Sequence, residues 1–209
     1  MPAPYTHYLV SCLLMAVLAL DYVGALILLP LTYYSYKAYR VSKVGVFFNL
    51  FLGFALLSSG TFCHGLSLTL AALGRGHALA RLVAASGMAS LVTETVAYLL
   101  IALGYAKASR AAAPVLLLLA SWSSPAGLLL GVVNLILLTF IAFNALAVYS
   151  ANRDKSSLLP LLAFLTLLAS QCLRLAAVAA PRLALASRLL YFLGLLSLLY
   201  LAVEVSRGR

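Results

Sequence analysis

Two acidic residues fall inside long apolar runs, where a chain that crosses a membrane seldom carries charge. Asp21 lies near the middle of the first run and Glu94 near the middle of the third. An ionised side chain in hydrocarbon costs at least roughly 2.5–3.5 kcal/mol on insertion scales, so such residues are functional candidates. We expect both carboxyl groups close to the membrane midplane, as candidates to bind a proton or a cation.

Three basic or titratable residues accompany these acids in other apolar runs. His64 falls in the outer half of the second predicted span, and Arg174 and Arg188 fall in the outer halves of the last two. The five residues together predict a polar interior that deepens from the outer face to the centre. Two structural interpretations stay open: His64 alone would be an ordinary core residue, and each acid is either protonated and hydrogen-bonded or paired with one of the arginines.

Small and polar residues recur at helical spacing on four of the runs, so each set shares one helix face. The sets are Asn49, Gly53, Gly60 and His64; Gly87, Ser90, Glu94 and Tyr98; Gly127, Gly131 and Asn134; and Thr166, Ser170 and Arg174. Such stripes are typical of tightly packed transmembrane helices, because small residues admit a close neighbour and polar ones bond across the interface. The stripes predict either helix-packing seams or the lining of a conduit.

The residues that catalysis would need are missing. The sequence contains no HExxH, no GxSxG and no glycine-rich phosphate loop, and it has four acidic residues in all. Asp154 and Glu204 lie beside basic residues near the inner surface, where local ion pairs explain them. Cys12, Cys63 and Cys172 form no CxxC pair, although oxidation of two of them stays open. We therefore expect no metal and no haem or other cofactor. The same features argue against enzymatic activity, although a membrane-embedded enzyme that acts on lipid stays open.

The elements that must position these residues are transmembrane helices. Hydrophobic residues make up 65% of the 209 residues and charged residues 9%, and about 20 apolar residues span a bilayer as a helix. The sequence predicts an all-α integral membrane protein, a compact bundle of seven transmembrane helices forming a single domain over residues 1–209. The predicted spans are residues 8–31, 44–73, 82–105, 111–122, 125–149, 157–179 and 183–205.

The short fourth segment, residues 111–122, decides between six spans and seven. With seven spans and the N-terminus outside, nine basic residues lie on the inner side, which agrees with the positive-inside rule. With six spans this asymmetry fades. We therefore predict seven helices with the C-terminus inside, and keep as the alternative six helices plus a short or re-entrant segment.

These features favour two functions for a multi-pass protein of the cell membrane. The first is a non-catalytic subunit of, or partner within, a larger respiratory, secretion, translocation or sensory assembly. The alternative is a small proton- or cation-coupled transporter or channel with its polar interior around Asp21 and Glu94. The expected partners are the lipid bilayer and a membrane protein or a second copy of the chain. The formal charge of +10 is explained by basic loops that contact lipid headgroups, so no nucleic acid is expected.

Overall fold

The fold is a bundle of long, apolar helices. The computed structural model describes residues 4–73, 77–108, 126–153, 155–180 and 183–207, and these residues contain helices and turns but no strand. The helices are α1 (Pro4–Ser42), α2 (Gly45–Leu73), α3 (His77–Ala108), α4 (Ala126–Asn152), α5 (Lys155–Ala176) and α6 (Leu183–Arg207). All six are long and apolar enough to cross a membrane. The chain is therefore a multi-pass membrane protein. Residues 111–122, the predicted fourth span, lie outside the described residues.

The first helix is longer than the sequence predicted. α1 continues through Pro30 and through the tyrosine-rich segment that follows it, and ends at Ser42 rather than at residue 31. Proline is tolerated inside membrane helices because neighbouring helices and local adjustments satisfy the freed carbonyl group. Rings along this extension pack on α2: Tyr36 lies 5.3 Å from Phe51 and Tyr39 lies 5.2 Å from Phe48, centroid to centroid.

The six helices close into a ring. Each helix packs against its neighbours in the chain, and α6 packs back against α1. The side chains that face the centre form one apolar core, in which Leu28, Ile101, Leu138 and Leu195 are almost fully buried. Large apolar side chains such as Leu26 and Phe143 are more than 60% exposed on the outside. Because lipid is as apolar as these side chains, the outer surface suits a bilayer.

The direction of each helix follows from which residues meet. Along α3 and α5, Glu94 meets Arg174 and Tyr105 meets Phe164, so these two helices are antiparallel. Residues near the start of α4 contact the end of α5, and Gly127 at that start lies beside Met88 and Leu91 in the first half of α3. Helices α3 and α4 are therefore neighbours that run in the same direction.

Helices α1 and α6 are also parallel. Asp21 meets Arg188, and further along both helices Gly24 lies beside Tyr191 and Leu195, which are one and two turns after Arg188. The described N-terminal and C-terminal ends consequently lie at opposite ends of the bundle. Two of the helix ends at the C-terminal end of the bundle are closed by basic residues in the left-handed conformation: Lys43 after α1 and Arg153 after α4. Cations at this position interact favourably with the helix dipole.

The packing of α2 on α3 depends on small residues. A Cβ atom at Gly53 would lie 2.8 Å from the Ile101 side chain and 3.1 Å from the Ala97 carbonyl oxygen. Asn49 packs on Gly104, and Gly60 packs on Thr93, along the same line of contact. This glycine–asparagine stripe therefore lies in the seam between two helices for most of its length, and only its His64 end reaches a cavity.

We expect Gly53→Ala to destabilise the bundle by about 1–3 kcal/mol, because the added methyl group forces α2 away from the α3 backbone. Thermal unfolding in detergent, followed by a thiol-independent dye or by circular dichroism, measures the effect. Gly45→Ala is the control, since a Cβ atom there meets nothing within 4 Å. Equal unfolding temperatures for the two variants would contradict this account of the seam.

Candidate functional site

Two buried ion pairs hold the charged residues of the bundle interior. Arg174 Nη1 on α5 donates to Glu94 Oε2 on α3 at 2.6 Å, and Arg188 Nη1 on α6 lies 3.1 Å from Asp21 Oδ1 on α1. The Asp21 side chain is 2% exposed, and the Glu94 side chain 10%. Of the states that the sequence left open for the acids, the structure thus has each carboxylate paired with an arginine.

The Glu94–Arg174 pair joins two helices across the ring rather than two neighbours along it. The Tyr98 hydroxyl, one turn along α3, donates to Glu94 Oε1 at 3.2 Å. Both oxygens of Glu94 therefore accept a hydrogen bond. This arrangement satisfies the carboxylate, which would otherwise be a costly unpaired charge in a dry interior.

A polar cavity of about 260 Å³ adjoins the two ion pairs. It is lined by α2, α3, α5 and α6, through Leu57, Thr61, His64, Gly87, Ser90, Leu91, Thr93, Glu94, Arg174, Arg188 and Tyr191. The arginine side chains remain 28% and 24% exposed, although the terminal nitrogen Arg174 Nη2 is itself buried. Arg174 is two residues from the end of α5, and Arg188 is five residues after the start of α6. On these two helices the cavity therefore lies near the end of the bundle at which they connect.

Several polar atoms around the cavity are buried without a partner. Arg174 Nη2, His64 Nδ1 and Asp21 Oδ2 have no hydrogen-bond partner among the residues that the structure describes. The hydroxyls of Thr61 and Thr93, by contrast, donate to carbonyl oxygens of their own helices. A buried donor or acceptor without a partner costs roughly 1–3 kcal/mol. These atoms are therefore where water or a solute would gain most by binding.

The predicted site residues are not all in one place. Asp21, His64, Glu94, Arg174 and Arg188 come together at the cavity or at its ion pairs. Ser90 lines the cavity, whereas the predicted packing residues Asn49, Gly53 and Gly60 face α3 below or beside it.

The stripe on α4 lies away from the cavity. Gly127 faces α3, whereas Gly131 faces Leu175 on α5 and its carbonyl oxygen accepts a hydrogen bond from Gln171. Asn134 is fully buried, and neither polar atom of its side chain has a partner within the described part of the chain.

Sequence reasoning missed Tyr191, which lines the cavity from α6. The signal was available: Tyr191 follows Arg188 by three residues and therefore lies on the same face of the helix. The spacing matches that of Asp21 and Gly24 on α1, and a Cβ atom added to Gly24 would lie 3.9 Å from the Tyr191 ring. An aromatic residue one turn from a buried arginine belongs to the same interior face.

A second cavity, of about 280 Å³, lies at the other end of the ring interior. It is mostly apolar and is lined by α1, α2, α3, α5 and α6, with Tyr34, Ser35 and Tyr105 among its few polar residues. A packed layer separates the two cavities, and its members Tyr98, Ile101 and Leu195 are at most 2% exposed. The interior therefore contains two cavities with a closely packed layer between them.

The described residues hold no cluster of three or more histidine, cysteine or acidic side chains that would suit a metal ion. Cys63 and Cys172 are free and exposed on the bundle surface. The chain matches no family model, and neither a characterised protein nor a solved structure gives a match. The function must therefore be argued from the cavity and its charges.

We expect Arg174→Gln to destabilise the protein by about 3–5 kcal/mol, because it leaves the Glu94 carboxylate buried and unpaired. The double variant Glu94→Gln/Arg174→Gln should recover most of that loss, since the two amides can bond to each other. Unfolding of the purified protein in detergent measures both. Arg81→Gln, which removes an exposed arginine, is the control, and additive losses in the double variant would argue against the pair.

Proposed function

We propose that this protein binds a small polar solute in the interior cavity and moves it across the membrane. The observation that carries the proposal is the polar cavity, which contacts the two ion pairs. A closed layer of side chains separates this cavity from the apolar cavity. A packing core needs neither a solvent-sized cavity nor charged walls. Charged residues inside a membrane bundle mark substrate pathways in many transporters.

Because both acids are paired with arginines, they are poorly placed to bind the cation that the sequence suggested. Each carboxylate already has an arginine beside it, and both oxygens of Glu94 accept hydrogen bonds. A cation would have to displace an arginine that is attached to the chain. The geometry therefore favours a solute other than a simple cation, in contrast to the cation-coupled alternative that the sequence suggested.

We also propose that the chain crosses the membrane seven times. The parallel course of α3 and α4 supports this, because the end of α3 and the start of α4 then lie at opposite ends of the bundle. Gly127 is level with Met88–Leu91, about 30 Å along α3 from Ala108 at 1.5 Å per residue. The 17 residues from 109 to 125 would reach about 26 Å as a helix, which is close to the thickness of the hydrocarbon core.

In this topology the ends of α1, α3, α4 and α6 share one face, and Lys43 and Arg153 lie together on it. The positive-inside rule makes this the inner face. It supports an N-terminus outside and a C-terminus inside, and it places the polar cavity toward the outer side. A location in the cell membrane stays a prediction from the sequence.

Single cysteines in a background without Cys12, Cys63 and Cys172 test the topology. With seven crossings, Val44→Cys and Asn152→Cys should react from the same side with a membrane-impermeant maleimide, and Leu73→Cys should react from the opposite side. With six crossings, Asn152→Cys should instead react together with Leu73→Cys. Labelling in intact cells and in inverted vesicles distinguishes the two results, and permeabilised cells show that each thiol can react at all.

Uptake into proteoliposomes tests the transport function, with labelled acetate, glycine, glycerol and rubidium as probes of four charge types. At least one should enter faster than into empty liposomes. Gly87→Leu should abolish that uptake, because Gly87 lines the polar cavity and a larger side chain there would fill it. Gly45→Leu, in open space outside the cavity, is the control. If Gly87→Leu leaves uptake unchanged, the solute does not pass through the polar cavity.

Membership of a larger membrane assembly stays a second prediction, which the described surface neither favours nor opposes. Mild-detergent purification from the native membrane, followed by mass spectrometry, decides it. A stoichiometric companion together with no uptake of any probe would replace transport with an assembly role.

A further inference from the structure

We infer that the polar cavity binds a small monocarboxylate, or a comparable monovalent oxyanion, and that one proton binds with it on His64. This inference rests on the proposed solute site. It concerns which solute is bound, and equilibrium binding tests it separately from movement across the membrane.

Within the described part of the chain, two residues in the cavity wall have side-chain atoms without a hydrogen-bond partner, and in both residues that atom is a nitrogen. Arg174 Nη2 and His64 Nδ1 are buried without a partner among the described residues. Glu94, the acid that lines the cavity, has its oxygens occupied by Arg174 and Tyr98. Asp21 does not line the cavity. An oxyanion in the cavity would therefore find unpaired nitrogen atoms once a small movement of Arg174 or His64 exposed them. The carboxylate of the wall is already occupied, and the unpaired Asp21 Oδ2 is buried outside the lining.

The volume of the cavity and the apolar part of its wall limit the size and polarity of the rest of the bound molecule. A cavity of about 260 Å³ is smaller than the roughly 300–1,000 Å³ typical of drug-sized ligands. Leu57 and Leu91 offer an apolar surface beside the polar wall, and Gly87 leaves room where a side chain would project. A carboxylate with a short alkyl chain, such as propionate, fits both parts of the wall.

The balance of charge around the cavity calls for a proton. Asp21 and Glu94 carry two negative charges, which Arg174 and Arg188 cancel. A bound monoanion would leave one uncompensated negative charge in a membrane interior, and such a charge is strongly disfavoured. A proton taken from water by the His64 imidazole restores neutrality and makes the ring a donor at both nitrogens.

His64 is placed to respond to all the charges at the site. The groups that face it from the surrounding helices are Asp21 on α1, Glu94 on α3, Arg174 on α5, and Arg188 and Tyr191 on α6. While the cavity is empty, burial and the two arginines oppose a charge on the imidazole, and Asp21 favours it. A bound carboxylate reverses that balance, so the anion and the proton favour each other's binding.

Isothermal titration of the purified protein with propionate tests the inference, and propionamide is the neutral isostere. We expect saturable propionate binding with uptake of about one proton per anion, counted from titrations in buffers of different ionisation enthalpy, and no binding of propionamide or methylammonium. Binding should tighten as pH falls. Glu94→Gln/Arg174→Gln, which keeps the two groups neutral together, should weaken propionate binding by about tenfold or more, because a charge-assisted hydrogen bond is lost.

Two further variants test whether His64 is the group that binds the proton. His64→Gln should weaken propionate binding and remove the proton uptake, whereas Cys63→Ser, at the exposed neighbouring position, should change neither. If the His64→Gln variant takes up as many protons on binding propionate as the unaltered protein does, His64 is not the group that binds the proton. Binding of propionamide or methylammonium in place of propionate, or of none of the three, would overturn the anion site.

The result is separable from that of the transport assay. Propionate binding without uptake into proteoliposomes would keep the anion site and refute transport. Uptake of glycerol or rubidium, with no binding of propionate, would keep transport and refute the anion site.

Discussion

The cost of charge in hydrocarbon is the constraint on which the rest of this structure depends. Two carboxylates and two guanidinium groups lie inside a bundle that is made mostly of leucine, alanine, valine and aromatic side chains. They are tolerated because each acid has its own arginine, at 2.6 Å and 3.1 Å. The pairs join α3 to α5 and α1 to α6, so neutralising the charges also ties the ring together. Lipid offers little driving force for helix association, and such polar links supply part of it.

The glycine seam between α2 and α3 complements these ion pairs. Close approach along Gly53 and Gly60 brings the two helix backbones together through the middle of the bundle. The seam ends where His64 lies beside Gly87, and the space left there belongs to the polar cavity. One face of α2 therefore packs against α3 along most of its length and carries a polar side chain at the cavity end. The same stripe of residues serves as a seam over most of its length and as a cavity wall at one end.

A polar cavity and an apolar cavity lie on either side of a layer that includes Tyr98, Ile101 and Leu195. Tyr98 belongs to that layer and also donates to Glu94, so the layer is in direct contact with the ion pairs. Any change in the hydrogen bonding of Glu94 therefore acts directly on a residue of this layer. The structure holds one arrangement of this interior, with the layer packed shut.

The sequence by itself determined the membrane class, the helical content and the identity of the intramembrane charges. Long apolar runs can satisfy their backbone hydrogen bonds only as helices in lipid, and Asp21 and Glu94 are conspicuous because so few charges interrupt those runs. It did not predict that α1 continues through Pro30, because the apolar run ends there and only the structure shows that the rings of the extension pack on α2. Only the tertiary structure decided which arginine meets which acid and that α3 and α4 run in parallel. It also placed Tyr191 beside the cavity. Those features depend on contacts between residues far apart in the sequence, 80 positions for Arg174 and Glu94 and 167 positions for Arg188 and Asp21. Helical periodicity gives the face of a residue but not the helix that it faces.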